Sequence, residues 1–344
     1  MKIVISDDRF GRADEERRVF ADFPAPTGKV RLITARCRTE DELIGACAEA
    51  DAVLLNQAPM TGRVISRLKK CRVISRYGTG YDNVDIGAAA KAGIWVTNVP
   101  GYCAGEAAEH ALALLLSCAR FIPEKDRAVR AGQWNLNRPI RRISGRVLGI
   151  VGFGATGRAL WEKVQGLGFS RILIADPHID AKLAALREKG GYPPMKAEGV
   201  SFAALISQSD FISLHVPLNE STRCCINRKT IAGMKDGAVL VNTSRGAVLD
   251  ERALAEALER GKLAGAGLDV FETEPLPPDH PLAALPNTAL SDHSAYYSEE
   301  AVSELKTRTA LNAREVLEGK IPKTPVNRPY NAGAEKQAEE EITA

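Results

Sequence analysis

The sequence predicts an α/β protein made of two doubly wound, parallel-sheet domains, and three observations carry that reading. Short runs of Val, Ile and Leu without polar alternation recur along the chain, as in strands covered on both faces. Helical patterns fall between them, so β and α elements alternate, the order that builds parallel sheets. The strands are too many for one comfortable sheet, and 344 residues are enough for two cores.

The first set of strands is KIVI (2–5), KVRLIT (29–34), AVLL (52–55), RVIS (72–75) and IWVT (94–97), with helices expected at 40–50 and 84–92. After the turn-like NVPG (98–101), one long helical pattern runs from 104 to about 131 and separates the two sets. The second set is VLGIV (147–151), RILIA (171–175), FISLHV (211–216), AVLVN (238–242) and AGAGLDV (264–270). Its helices are expected at 155–167 and 251–261, the latter with Asp250 as N-cap and a basic last turn ending at a glycine. A closing helix is expected at 299–319. The tail 331–344, poor in large apolar residues and ending in a charged run, is expected to be a mobile extension.

Composition excludes several classes. A formal charge of +3 from 46 basic and 43 acidic residues gives no broad basic field for nucleic acid. The longest apolar run, around 111–116, is too short to cross a membrane. The first residues, MKIVISDDRF, pass straight from a short strand into charge, so no signal peptide is expected. Seven scattered cysteines show neither metal-ligand spacing nor a disulfide framework, which points to a reduced, cytoplasmic setting and to no bound metal.

GFGATG (152–157) follows the strand VLGIV and opens an amphipathic helix. In that order the glycines have separate tasks: Gly152 permits the tight turn, Gly154 lets the backbone approach a pyrophosphate, and Gly157 lets helix and strand pack closely. Phosphates would sit on unpaired N–H groups at the helix N-terminus, beside Ala155 and Thr156. The next strand ends at Asp176, roughly twenty residues past Gly157, where a carboxylate accepts from the ribose hydroxyls and favours NAD over NADP. A separate domain must then occupy the first 150 or so residues and carry the substrate, with the active site opposite the carboxyl ends of the cofactor-domain strands.

Three later segments of that domain end in residues suited to an oxo acid: VNTSRG delivers Arg245, GLDVFETEP delivers Asp269 and Glu274, and TALSDHS delivers His293. Alone, each has an ordinary reading as a solvated or loop residue; together they follow strands of one cofactor domain. Arginine's planar fork pairs with carboxylate and carbonyl oxygens. Histidine titrates near neutrality, and a nearby carboxylate can hold it protonated as the donor to a developing alkoxide.

These segments resemble the D-2-hydroxyacid dehydrogenases, with GFGATG and Asp176, VLVNTSRGAVLDERAL, GLDVFETEPLP and DHSAYYS in the family's order and the likeness reaching to about residue 325. The resemblance implies NAD as cofactor, a small 2-oxo or 2-hydroxy acid as substrate and a homodimer. It gives Arg245 and His293 the tasks of substrate binding and proton donation, with Glu274 paired to His293. RYGTGYDNVD resembles the substrate loop, with carboxylate contacts from the Thr79 and Gly80 backbone, and Tyr296 would line the pocket. Further cofactor contacts are expected at His215, Val216, Pro217, Thr243, Ser244 and Asp269, besides Arg245 and His293. The implied architecture is a Rossmann domain (102–291) inserted into a discontinuous flavodoxin-like substrate domain (1–101 and 292–330). NVPGYCAGEAAEHALALLL and HSAYYSEEA look nearest to the C-terminal-binding-protein-like branch. That branch supplies the rival expectation, an NAD(H)-sensing interaction protein with little turnover. Cys103, where formate dehydrogenases and some relatives carry Asn, argues against formate.

Overall fold

The computed structural model describes residues 1–24, 28–134, 137, 139–188 and 197–330; the expected tail 331–344 lies outside them. The chain divides into two compact units, Met1–Tyr102 with the described residues from Ser298 on, and Cys103–Tyr297.

The first unit holds β1 (Lys2–Ile5), β2 (Arg31–Thr34), β3 (Ala52–Leu55), β4 (Val73–Arg76) and β5 (Trp95–Thr97). They form one parallel sheet in the order β2-β1-β3-β4-β5, the flavodoxin-like order. The residues of β3 are all buried, which is why AVLL shows no alternation. The helix Glu299–Leu317 closes one face, with Leu305, Ala310, Ala313 and Val316 packed among Ile3, Leu54 and Val73. Arg72, at the foot of β4, donates to the carbonyls of Val316 and Leu317 and so caps that helix.

The second unit holds β6 (Val147–Val151), β7 (Arg171–Ala175), β8 (Glu198–Gly199), β9 (Phe211–Leu214), β10 (Ala238–Asn242), β11 (Leu263–Leu268) and β12 (Thr288–Leu290). Their order is β12-β11-β10-β9-β6-β7-β8, and every pair is parallel. All carboxyl ends therefore share one edge. β7 and β8 extend one side of β6 and β9 to β12 the other, so the order reverses between β6 and β9, where such sheets leave a crevice for ligands.

Two expectations change. The single helix at 104–131 is two, Ala104–Arg120 and Ile122–Arg130, with Phe121 left-handed between them at φ 53°. Pro123 has no N–H to continue the first helix, and its ring would strike the Ala119 carbonyl. The second crossing falls after Tyr297 rather than near 291, because the N–H groups of His293, Ser294 and Ala295 all bond to Asp269 in the second unit. No helix among the described residues is long and apolar enough to cross a membrane, and none of their His, Cys, Asp and Glu side chains group in threes to hold a metal ion.

Candidate active site

The glycine turn after β6 is shaped by close backbone approach. Gly152 has φ +90°, and a Cβ there would lie 2.4 Å from the His215 carbonyl oxygen, on the neighbouring segment after β9. A Cβ on Gly157 would lie 2.2 Å from the Gly152 oxygen, whereas one on Gly154 would meet nothing within 4 Å. The first and third positions are thus needed for packing, and the middle one leaves the backbone open to a ligand. Gly154 caps the helix Ala155–Lys163 without a side-chain acceptor, so the first N–H groups at Ala155 and Thr156 face the same opening. Across the edge, Thr243 Oγ1 is buried and has no hydrogen-bond partner among the described residues. An open glycine, a helix N-terminus and an unsatisfied hydroxyl at one sheet edge fit a dinucleotide.

His215 and Val216 line this turn; the His215 ring bonds Ser213 Oγ at 2.8 Å, and burial pushes its pKa down to about 4, so it is neutral at pH 7. Pro217 follows, its carbonyl taking the Thr222 hydroxyl at 2.6 Å. Asp176 ends the segment after β7 and accepts from Phe153 N at 2.8 Å, tying it to the glycine turn.

Arg245 is presented by a turn that Asn242 clamps. From the end of β10, the Asn242 amide donates to the Arg245 carbonyl at 2.9 Å and accepts from Ser244 N at 3.0 Å and Ser244 Oγ at 2.7 Å. Gly246 brings this turn against the next one, since a Cβ there would lie 1.9 Å from the Phe271 carbonyl carbon. That second turn is fastened in two places. Glu251, a buried carboxylate, accepts from Glu272 N at 2.7 Å, and Glu274 Oε1 accepts from Phe271 N at 3.0 Å.

The other oxygen of Glu274 lies 2.7 Å from His293 Nδ1. An ionised carboxylate only accepts, so Nδ1 carries the proton of this bond and Nε2 is the ring nitrogen left outside it. Burial alone would raise the Glu274 carboxyl; the His293 bond and charge, the Phe271 N–H and the Arg245 charge outweigh it, and the group lies below the usual carboxylate value.

His293 itself is left-handed at φ 56°, which costs a residue with a Cβ about 1–2 kcal/mol. Asp269, at the end of β11, holds it there. Its carbonyl accepts from His293 N at 2.8 Å, and its carboxylate, 1% exposed, accepts from Ser294 N at 2.9 Å and Ala295 N at 3.0 Å. Ser291 Oγ donates to the same carboxylate at 2.7 Å and lies 2.8 Å from His110 Nε2 on the helix Ala104–Arg120. The geometry assigns Asp269 the shaping of the His293 turn.

One sheet edge thus carries Gly152, Gly154, Gly157, Asp176, Thr243, Ser244, Arg245, Asp269, Glu274 and His293. The Tyr296 ring meets His293 edge-on, with centroids 6.4 Å apart. Thr79 and Gly80 belong to the first unit, after β4, where Thr79 Oγ1 donates to the Val99 carbonyl at 3.1 Å. Cys103 precedes the helix Ala104–Arg120 without capping it. Sequence reasoning missed Asn242, Ser291, His110 and Lys182, the last on the helix Ile179–Glu188 with its ammonium 2.7 Å from the Asp176 carboxylate. Asn242 had a signal, since Asn two residues before Ser at a strand end is an Asx-turn pattern. His110 and Lys182 lie on helices whose register a strand-end search does not reach.

The description D-isomer specific 2-hydroxyacid dehydrogenase, NAD binding domain, fits residues 112–295. The chain is 39% identical over 308 residues to the glyoxylate reductase of Korarchaeum cryptofilum, covering 88% of this chain and 87% of that one. It is 38% identical over 274 residues to the hydroxypyruvate reductase of Thermotoga maritima, covering 78% and 85%. The crystal structure of a glyoxylate reductase from Paecilomyes thermophila superposes with a TM-score of 0.81 at 30% identity, covering 95% of this chain and 98% of that one. With the glycine turn, the Glu274–His293 pair and the arginine on one parallel edge, the chain belongs to the D-isomer specific 2-hydroxyacid dehydrogenase family and is an NAD-dependent oxidoreductase.

Proposed function

We propose that the protein reduces a small 2-oxo acid to the D-2-hydroxy acid, with glyoxylate and hydroxypyruvate the first substrates to test. The observation that carries this reading is the 2.7 Å bond between Glu274 and His293 on the sheet edge that also presents Arg245. Arg245 holds the substrate carboxylate and orients the carbonyl. His293, protonated and anchored through Nδ1, delivers the Nε2 proton to the oxygen that becomes the hydroxyl; in the reverse direction the neutral ring takes it back. Glu274 keeps the ring oriented and balances its charge. The nicotinamide, when bound, supplies the hydride. Thr79 and Gly80 offer backbone N–H groups to a carboxylate, and Tyr296 limits the side chain accepted beside His293. The relatives named as glyoxylate and hydroxypyruvate reductases support this substrate class.

A homodimer is part of the proposal. Ile122 and Val129, each 53% exposed on the helix Ile122–Arg130, and Trp134 at 79% are exposed apolar side chains of the kind that a second copy covers. Cys37, Cys47, Cys71, Cys118, Cys224 and Cys225 are free thiols, which suits the reducing cytoplasm we assign.

A panel of 2-oxo acids with NADH tests the assignment. Turnover of at least one small member is expected, with His293→Gln losing most of it while still binding NADH. NADH-driven association without turnover on the whole panel would move the assignment to the sensing role suggested by the likeness to the C-terminal-binding-protein-like branch.

A further inference from the structure

Asp176 is the residue on which NAD preference rests, and its carboxylate is fully engaged by the chain itself. Oδ1 accepts from His178 N at 2.9 Å and from Lys182 Nζ at 2.7 Å; Oδ2 accepts from Phe153 N at 2.8 Å and again from Lys182 Nζ at 2.7 Å. A carboxylate offers about four acceptor positions, so these contacts use them all. Two of the donors are backbone groups, one at the strand-end turn and one in the glycine turn, and neither can leave without unmaking the site. The third is a flexible side chain one turn into the helix Ile179–Glu188, 30% exposed against 8% for Asp176.

We infer that Lys182 competes with the cofactor's ribose for Asp176 and thereby narrows the preference for NADH over NADPH. The inference rests on Asp176 being the ribose acceptor. Two hydroxyls need two acceptor positions, and only Lys182 can release them, by swinging its ammonium toward solvent at the cost of the ion pair. A 2′-phosphate changes the sign of the contribution. Against Asp176 alone the phosphate meets a like charge, but Lys182 offers it a cation with three donors on a four-carbon stem. Lys182 thus weakens NADH binding and eases NADPH binding, and both effects lower discrimination. The carboxylate is strongly engaged by this pair: burial would raise its pKa, yet the Lys182 bond and the two backbone N–H groups bring it below the usual value.

Dissociation constants of NADH and NADPH, read by nicotinamide fluorescence on the full chain, test this without turnover. Four proteins are compared: the natural chain, Lys182→Met, Lys182→Arg and Asp176→Ala. Lys182→Met should tighten NADH by roughly two- to tenfold and weaken NADPH, so that the ratio of the two constants rises by about tenfold. Lys182→Arg, which keeps the cation, should stay near the natural ratio. ADP-ribose and its 2′-phosphate, used as competitors, should reproduce the pattern. If Lys182→Met weakens NADH or leaves the ratio unchanged while Asp176→Ala lowers it, the competition is disproved and the ribose role of Asp176 stands. If Asp176→Ala also leaves the ratio unchanged, Asp176 does not read the ribose and both statements fall.

Discussion

In the proposed reaction Glu274 acts through one bond, and its effect has a definite sign. Its carboxyl lies below the usual range, burial being outweighed by the His293 bond and charge, so the anion is the favoured form, 2.7 Å from the ring that carries the proton in the proposed reaction. Reduction needs that proton and falls as pH rises; oxidation needs the neutral ring and rises. Glu274→Gln removes the charge but keeps an acceptor, so both limbs of the pH–rate profile should move to lower pH. Limbs that stay in place would separate Glu274 from the proton transfer. In the proposed reaction Arg245 binds the substrate carboxylate. Arg245→Ala should lower kcat/KM for a 2-oxo acid by roughly 30- to 1,000-fold, the usual loss for one partner of a desolvated ion pair, with NADH affinity within about threefold of the natural chain. Loss of cofactor and substrate together would make Arg245 a structural residue.

Among the elements, the two turns after β10 and β11 decide whether these side chains meet. Gly246 lets them pack, and a methyl group there must displace the Phe271 backbone. Gly246→Ala should therefore destabilise the protein by about 1–3 kcal/mol and reduce turnover more than NADH binding, as thermal melts and fluorescence titration would show. An unchanged melting temperature would mean that the second turn yields freely. The sequence makes the placement of Arg245, Glu274 and His293 legible, because each follows an apolar run and strand ends are where side chains leave a sheet. It does not make the fastenings legible. Glu251 accepts from a backbone group of another turn and Ser291 donates to the Asp269 carboxylate at the end of another strand, and which turns touch depends on strand order rather than on local pattern. The break at Phe121 was hidden for the opposite reason: Pro123 is tolerated near a helix start, so apolar periodicity runs across it unchanged.

At the scale of the whole chain, the alternation of buried strands and helices was enough to indicate two parallel sheets, and GFGATG marked which one takes the dinucleotide. The order of the strands was not readable, since periodicity reports faces and never neighbours; β8, two residues long, leaves almost no pattern at all. Assembly is a property of the same scale. The protein in solution should have twice the 37.1 kDa mass of one chain by light scattering, and Val129→Asp, which sets a charge at an exposed apolar position of the helix Ile122–Arg130, should shift it toward a single chain. A natural protein that runs as one chain at micromolar concentration would refute the dimer.

The three amides that Asp269 collects have a further consequence, in the time domain. Because His293, Ser294 and Ala295 donate to one residue at the end of a buried strand, none of these N–H groups can open to solvent independently of the others. In deuterated water they should exchange slowly and at a common rate, although the neighbouring Asp292 and Tyr297 are exposed. Asp269→Asn, which replaces one carboxylate oxygen by a donor, should speed all three at once. Their exchange then reports, without substrate or cofactor, what fraction of molecules holds His293 in the turn that Asp269 shapes.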